Sequence, residues 1–397
     1  MTTLNETPSG NRIHIGFYGR RNSGKSSLIN SFTGQQVSIV SEVAGTTTDP
    51  VFKPMEVYGL GPCVFIDTAG FDDIGDLGEI RVEKTRKAAE KTDIAVLVYT
   101  GENIEKELEW FSYFKQKKTP VLHVINKADT REDGEQLQAL IEKKTGEKPV
   151  LVSAKEGIGI DAIKEALVRL LPEDYGMETI TGALVEDGDL VLLVMPQDIQ
   201  APKGRLILPQ VQTIRDLLDK KCLVMSVTTD KLEAALTVMA KPPKLIITDS
   251  QVFKTVYEKK PEESLLTSFS TLFAAYKGEI HYYVQGAKAI EKLTENSKVL
   301  IAECCTHAPL SEDIGREKLP RMLKQRVGAN LTVDIVSGTD FPADLTTYDL
   351  VIQCGACMFN RKYVLSRIDR AKKQEIPMSN YGIVIAYLTG ILDKICI

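Results

Sequence analysis

Residues 19–26 read Gly-Arg-Arg-Asn-Ser-Gly-Lys-Ser, a glycine-bounded loop ending in an ammonium and a hydroxyl. The spacing matches the phosphate-binding pattern G-x-x-x-x-G-K-[ST] at every fixed position. Gly19 and Gly24 allow a tight turn whose N–H groups face phosphate oxygens, and the helix that follows adds its positive end. Lys25 is expected to reach the β- and γ-phosphates and Ser26 to ligate Mg²⁺. Asn22, Ser23 and Ser27 complete the nucleotide contacts of this loop.

Three further segments extend the pattern. Asp67-Thr68-Ala69-Gly70 closes an apolar run. Asp67 would hold the metal directly or through water, and Gly70 would offer an N–H near the γ-phosphate and a hinge. Asn126-Lys127-Ala128-Asp129 separates guanine from adenine. The Asp129 carboxylate can accept from N1–H and N2–H₂ of guanine, whereas adenine would leave it unpaired. Ser153-Ala154-Lys155 would back the base with a backbone N–H and a lysine stem. The order of the four segments predicts a GTPase.

A second set of reactive residues lies in the last quarter: Cys305-Thr306-His307 and Cys354-Gly355-Ala356-Cys357. C-x-x-C alone serves zinc, redox and iron–sulfur sites alike. With Cys305 it gives three thiolates plus optional nitrogen or oxygen donors. A structural zinc site wants four protein ligands. Three cysteines with an open fourth position fit an iron–sulfur cluster with an exchangeable iron. Adjacent strand residues point to opposite faces, so Cys304 and Cys305 are not expected to bind one metal together, and Cys304 reads as buried packing. Cys63, Cys222 and Cys396 read as small apolar fillers.

These residues need elements to hold them. Apolar runs at Ile13–Tyr18, Val64–Asp67, Ile94–Tyr99, Val121–Ile125 and Val150–Ser153 read as buried parallel strands. Helices are expected over Lys25–Thr33 and Asp161–Leu171. A polar stretch, Glu173–Thr181, suggests a boundary. Beyond it, Leu190–Met195, Leu223–Val227 and Leu245–Ile247 read as strands and Val211–Lys220 and Asp230–Met239 as helices. This stretch carries no catalytic motif. A third series predicts strands at Lys298–Ala302, Leu331–Val336 and Tyr348–Gln353, with helices at Lys318–Gln325, Arg361–Lys372 and Ile383–Leu392. The alternation predicts α/β architecture: a P-loop GTPase domain (1–175) followed by two smaller α/β domains with mainly parallel sheets (176–265 and 266–397). Both cysteine pairs would then sit at carboxyl ends of strands, where such sheets place ligands.

Composition agrees with a multidomain globular chain. It has 397 residues, 43% hydrophobic and 26% charged, with a net charge of −5. Seven cysteines in a long chain without an N-terminal apolar signal do not suggest a disulfide framework. The reading is a cytoplasmic protein with no nucleic acid and no membrane among its partners.

The N-terminal half resembles translation-factor-type GTPases, in the branch with Gly45-Thr46-Thr47-x-Asp49 in the first switch. The resemblance implies that Thr46 or Thr47, Thr47 preferred, completes the Mg²⁺ shell. Phe71 stands where Ras-like members have a water-orienting glutamine. The tRNA-modifying GTPases of this branch use K⁺ and a switch-two glutamate instead. By resemblance Asn22 would hold K⁺ and Glu79 would orient water; the plain alternative for Glu79 is a solvated acid.

Taken together, the chain resembles the HydF family, the maturation GTPases of [FeFe]-hydrogenase. The resemblance implies a [4Fe–4S] cluster on Cys305, Cys354 and Cys357, and a middle domain that forms a homodimer. It implies a scaffold that takes the diiron precursor from radical-SAM maturases and delivers it to the apo-hydrogenase. Many members have histidine before the C-x-x-C; here it is Gln353. The fourth ligand is then His307, Glu303, water or a group brought by the precursor. The alternatives are a tRNA-modification or ribosome-assembly GTPase with a structural zinc, and a dithiol enzyme using Cys354 and Cys357.

Overall fold

The computed structural model describes residues 7–33, 49–72, 76–171, 175, 179–196, 206–304 and 314–396. The chain forms two compact units, Met1–Tyr175 and Gly176–Ile397.

The first unit is a six-stranded sheet of β1 (Ile13–Gly19), β2 (Val51–Val57), β3 (Gly61–Asp67), β4 (Ile94–Tyr99), β5 (Val121–Ile125) and β6 (Val150–Leu151), in the order β2-β3-β1-β4-β5-β6. β1, β4 and β5 are buried along their whole length. Such strands read as near-continuous apolar runs because helices cover both faces, here with His14 in β1 and His123 in β5. The expected strand Val150–Ser153 is shorter and lies at an edge, only partly buried. Its last residue instead makes an isolated bridge with Ile158. β2 escaped the sequence reading because Pro54 interrupts it. It is the antiparallel edge strand, where a missing N–H is tolerated.

The second unit holds two four-stranded parallel sheets. One contains β7 (Leu190–Val194), β8 (Leu223–Val227), β9 (Leu245–Thr248) and β10 (Leu265–Ser268), in the order β10-β9-β7-β8. The other contains β11 (Lys298–Ala302), β12 (Thr332–Val336), β13 (Leu350–Gln353) and β14 (Met378–Asn380), in the order β12-β11-β13-β14. The two sheets thus repeat one winding. They share a hydrophobic core that includes Leu192, Val194 and Ile246 from one sheet and Leu300, Ala302 and Val351 from the other.

A domain boundary after residue 265, as expected from sequence, would cut β10, which pairs with β9 along its whole length. The final helix runs Tyr381–Leu388 rather than Ile383–Leu392, and it starts where Asn380 accepts from the Gly382 N–H at 2.9 Å.

Helix Ile280–Lys288 lies close against β14 through Gly286. A Cβ at that position would overlap the Met378 carbonyl oxygen, which is backbone and cannot turn aside. Gly286→Ala is therefore expected to destabilise the second unit by about 3 kcal/mol, the upper end of ordinary overpacking. Urea unfolding followed by circular dichroism checks this; a midpoint equal to the parent chain would contradict it.

Candidate functional site

In the first sheet the strand order reverses at β1, which has β3 on one side and β4 on the other. Ligands of open α/β sheets bind outside the carboxyl ends of strands at such a reversal. The Gly19–Ser26 loop leaves β1 at that point and runs into helix Lys25–Thr33. Asn22 (φ 58°) and Gly24 (φ 86°) adopt left-handed backbone there. Lys25 is buried, and its Nζ donates to the carbonyls of Gly19 (3.1 Å) and Arg20 (2.8 Å). Ser26 Oγ donates to Asp67 Oδ2 at 2.6 Å, which brings both expected metal ligands together. Gly70 abuts the same loop, where a Cβ would stand 2.6 Å from the Arg21 nitrogen.

The base-recognition residues meet at the ends of β5 and β6. Asn126 Nδ2 donates to the Ser23 carbonyl (2.9 Å), and Asn126 Oδ1 accepts from the Ala154 N–H (3.1 Å). One buried amide therefore bolts the phosphate loop to the Ser153-Ala154-Lys155 segment. Ser153 Oγ donates to Asp129 Oδ1 at 2.6 Å, and this bond holds the Asp129 carboxyl below its usual range. Lys127 takes left-handed backbone (φ 65°), and its side chain is exposed, as is that of Lys155. Asp129→Ala should weaken guanine nucleotide binding strongly and reduce the preference for GTP over ATP by about 10⁴-fold, since a site built to bond a substrate N–H discriminates at that scale. Competition binding with both nucleotides measures the ratio; an unchanged ratio would remove Asp129 from base recognition.

Two anchors of the loop were not legible from sequence. Arg20 Nε donates to Glu107 at 3.0 Å, and Arg20 Nη2 donates to the Asn103 carbonyl at 2.7 Å. Glu107 is buried; desolvation pushes its carboxyl up while Arg20 opposes the shift. Asp72 accepts from the Arg21 N–H at 2.6 Å. Phe71 is buried and stacks on Trp110 (centroids 5.8 Å apart), so it serves packing rather than water. Glu79 is exposed, near the start of helix Asp76–Ala89. Thr46 and Thr47 lie outside the described residues.

The last sheet reverses at β11, between β12 and β13. Cys304 follows β11 and Cys354 follows β13, side by side at the carboxyl ends of paired strands. The Cys304 N–H donates to Cys354 Sγ at 3.1 Å. The Cys304 thiol and the Ala356 N–H also bond to Cys354, and together these bonds hold its thiol below the usual value. Cys304 is buried, which pushes its own thiol up, and Arg367 Nη1 lies 3.7 Å from its sulfur. Cys304 is packed inside the unit, and its N–H and thiol serve the neighbouring sulfur. Cys357 is half-buried on the same turn, in which Ala356 adopts φ 51°. Cys305 and His307 lie outside the described residues. Among the described residues, no group of three or more His, Cys, Asp or Glu is placed to hold a metal.

Glu303 is already engaged. Its Oε2 accepts from Arg316 Nη2 (2.9 Å) and from Ser337 Oγ (3.0 Å). Both bonds fall on Oε2, so a metal would have to be met by Oε1 or displace them. Gln353 is buried, with Nε2 3.4 Å from the Tyr283 hydroxyl.

Two buried cations face this turn, and the motif reading did not reach them. Lys277 Nζ donates to the carbonyls of Ala356 (3.2 Å), Cys357 (3.3 Å) and Phe359 (2.7 Å). Burial lowers its ammonium to about 8, against the pull of the nearby cysteines. Arg367 lies among the rings of Phe341, Phe359 and Tyr363, at 4.7, 5.0 and 4.9 Å. The available signal was a lone charge closing an apolar helix, Phe269–Lys277. The donor set fits an iron–sulfur group: sulfurs receiving N–H bonds, at a strand-end crevice, with buried positive charge beside them.

The second unit matches two family models, the hydrogen maturase F dimerization domain over residues 180–278 and the hydrogen maturase F tetramerization domain over 281–396. Residues 14–127 match a model described as a 50S ribosome-binding GTPase. The chain is similar to the tRNA modification GTPase MnmE of Heliobacterium modesticaldum, 34% identical over 188 residues, covering 46% of this chain and 38% of that protein. It is also similar to the GTPase Der of Wolinella succinogenes, 36% identical over 183 residues, covering 42% and 37%. The chain therefore spans less than half the length of these relatives. Among solved structures, Era of Aquifex aeolicus bound to GDP.AlF4- is 21% identical over 54% of this chain and 92% of that one, with a TM-score of 0.37. That overlay is too loose to add to the sheet order.

Proposed function

The chain belongs to the hydrogen maturase F family, and on that premise we propose that it is a GTP-hydrolysing scaffold. In this reading it carries a [4Fe–4S] cluster and assembles and delivers the diiron precursor of the [FeFe]-hydrogenase active site. The observation that supports it most is the Cys354 turn at the reversal of the last sheet, with N–H donors on its sulfur and two buried cations beside it. Cys305, Cys354 and Cys357 would hold the cluster, with His307, Glu303 or an incoming group at the fourth position. When bound, the cluster supplies an iron with an exchangeable site.

At the other end, Lys25 would neutralise developing charge on the phosphates, and Ser26, Asp67 and Thr47 would hold Mg²⁺. Gly70 would place its N–H near the γ-phosphate. Asn22 would bind K⁺ and Glu79 would orient water. Hydrolysis would time docking and release by moving the switch segments. Radical-SAM maturases and the apo-hydrogenase are the partners, in the cytoplasm. No helix among the described residues is long and apolar enough to cross a membrane. Homodimerisation is assigned to the first sheet of the second unit, whose edge strand β8 leaves Leu223 exposed.

Anaerobic reconstitution with iron and sulfide tests the reading. About four irons per chain and a cubane signal by EPR after reduction are expected; zinc without iron would favour a structural site instead. Turnover should rise in K⁺ relative to Na⁺, and equal rates would remove Asn22 from cation binding.

A further inference from the structure

Lys277 and Arg367 are each 1% exposed or less in relative terms, among the most deeply enclosed large side chains of the chain. Neither makes a salt bridge to a carboxylate among the described residues. A buried charge is strongly disfavoured unless polar groups or an opposite charge attend it. Lys277 is attended by three carbonyl oxygens, all from the turn that carries Cys357. Arg367 donates to the Gly338 carbonyl at 2.5 Å and is otherwise wrapped by three aromatic rings, a surrounding suited to a weakly hydrated guanidinium. Its Nε has no hydrogen-bond acceptor among the described residues. Lys277 is thus bound to the backbone of the cysteine turn, and Arg367 Nη1 lies 3.7 Å from the Cys304 sulfur. Three thiolates on a cubane make an anion, and reduction adds one more negative charge. Fixed positive charge beside it therefore favours the reduced form.

We propose that Lys277 and Arg367 are positioning residues that form a fixed positive frame for the cysteine site. They supply the counter-charge to the cluster and raise its reduction potential, and Lys277 also fixes the shape of the Ala356–Phe359 turn. This rests on the cluster reading above. It adds that two residues outside every cysteine motif govern how readily the cluster accepts an electron.

Four variants of the full chain test it: Lys277→Gln, Lys277→Arg, Arg367→Gln and Arg367→Lys. Each is reconstituted anaerobically, assayed for iron and sulfide, and titrated against potential by EPR. Lys277→Gln keeps N–H donors for the turn and removes the charge. It should retain iron yet show at least a tenfold lower reduced-to-oxidised ratio at fixed potential, equivalent to 59 mV for a one-electron couple. Arg367→Gln should shift the same way, while Lys277→Arg and Arg367→Lys should stay near the parent. Should Lys277→Gln lose its iron, the charge-keeping Lys277→Arg decides: iron and potential like the parent support the frame, and loss of iron with intact circular dichroism overturns it. Parent-like potentials in both glutamine variants at full iron content also overturn it, and leave the cluster reading standing. A parent chain that takes up no iron would end the cluster reading itself.

Discussion

Replacing Lys25 by alanine is expected to lower GTP turnover by about 10²–10³-fold, the scale seen when one charge-stabilising donor is removed from a transition state. The ammonium is buried and held at the mouth of the loop by the Gly19 and Arg20 carbonyls, ready to exchange them for phosphate oxygens. The neighbouring cation cannot substitute, because Arg20 is bound to buried Glu107 and to the Asn103 carbonyl. The cysteine turn lies in the other compact unit, so iron uptake by the variant should match the parent. Phosphate release at saturating GTP, paired with an iron assay on the same preparation, separates the two. Near-parental turnover would refute the role of Lys25, and joint loss of turnover and iron would show that the units do not act independently.

Cys354→Ala and Cys357→Ala should each reduce reconstituted iron from about four atoms per chain to near zero, because a cubane held by three thiolates does not survive with two. Cys354 is the more sensitive position: the N–H groups of Cys304 and Ala356 both point at its sulfur, and its removal leaves them without their acceptor. Cys63→Ala is the control. That thiol is buried in the first unit, where desolvation pushes it up to about 12, and it should be silent in iron uptake. A full complement of iron in either of the first two variants would dismiss the C-x-x-C as a ligand pair.

What could be read from the amino-acid sequence was what is local in it. The phosphate loop, Asp67–Gly70 and Asn126–Asp129 carry their chemistry within a few residues, so each motif announces its own turn. Long buried strands were equally plain, because burial on both faces makes β1, β4 and β5 mostly apolar, with His14 and His123 the polar exceptions. Three edge strands, β2, β10 and β14, were not, whereas β6, β8 and β12 were. β2 contains a proline, and β10 and β14 have only four and three residues. Residues that act across the fold were hidden for another reason. Glu107 reaches Arg20 over 87 positions, and Lys277 reaches the Cys357 carbonyl over 80. Lys277 is the single charge of its helix and Glu107 one of several in its own, neither with a motif around it, and only the packed fold supplies the partner. Glu303 shows the converse: its type and place suggested a metal donor, and its hydrogen bonds to Arg316 and Ser337 could not be read beside that.

Lys277 is the last residue of a helix that begins directly after β10, the outermost strand of the neighbouring sheet. Its three bonds to the cysteine turn tie the end of that helix to the other sheet of the same unit. A push on that helix would therefore be expected to reach the backbone of the cysteine turn through these three bonds, with no contact to either sulfur.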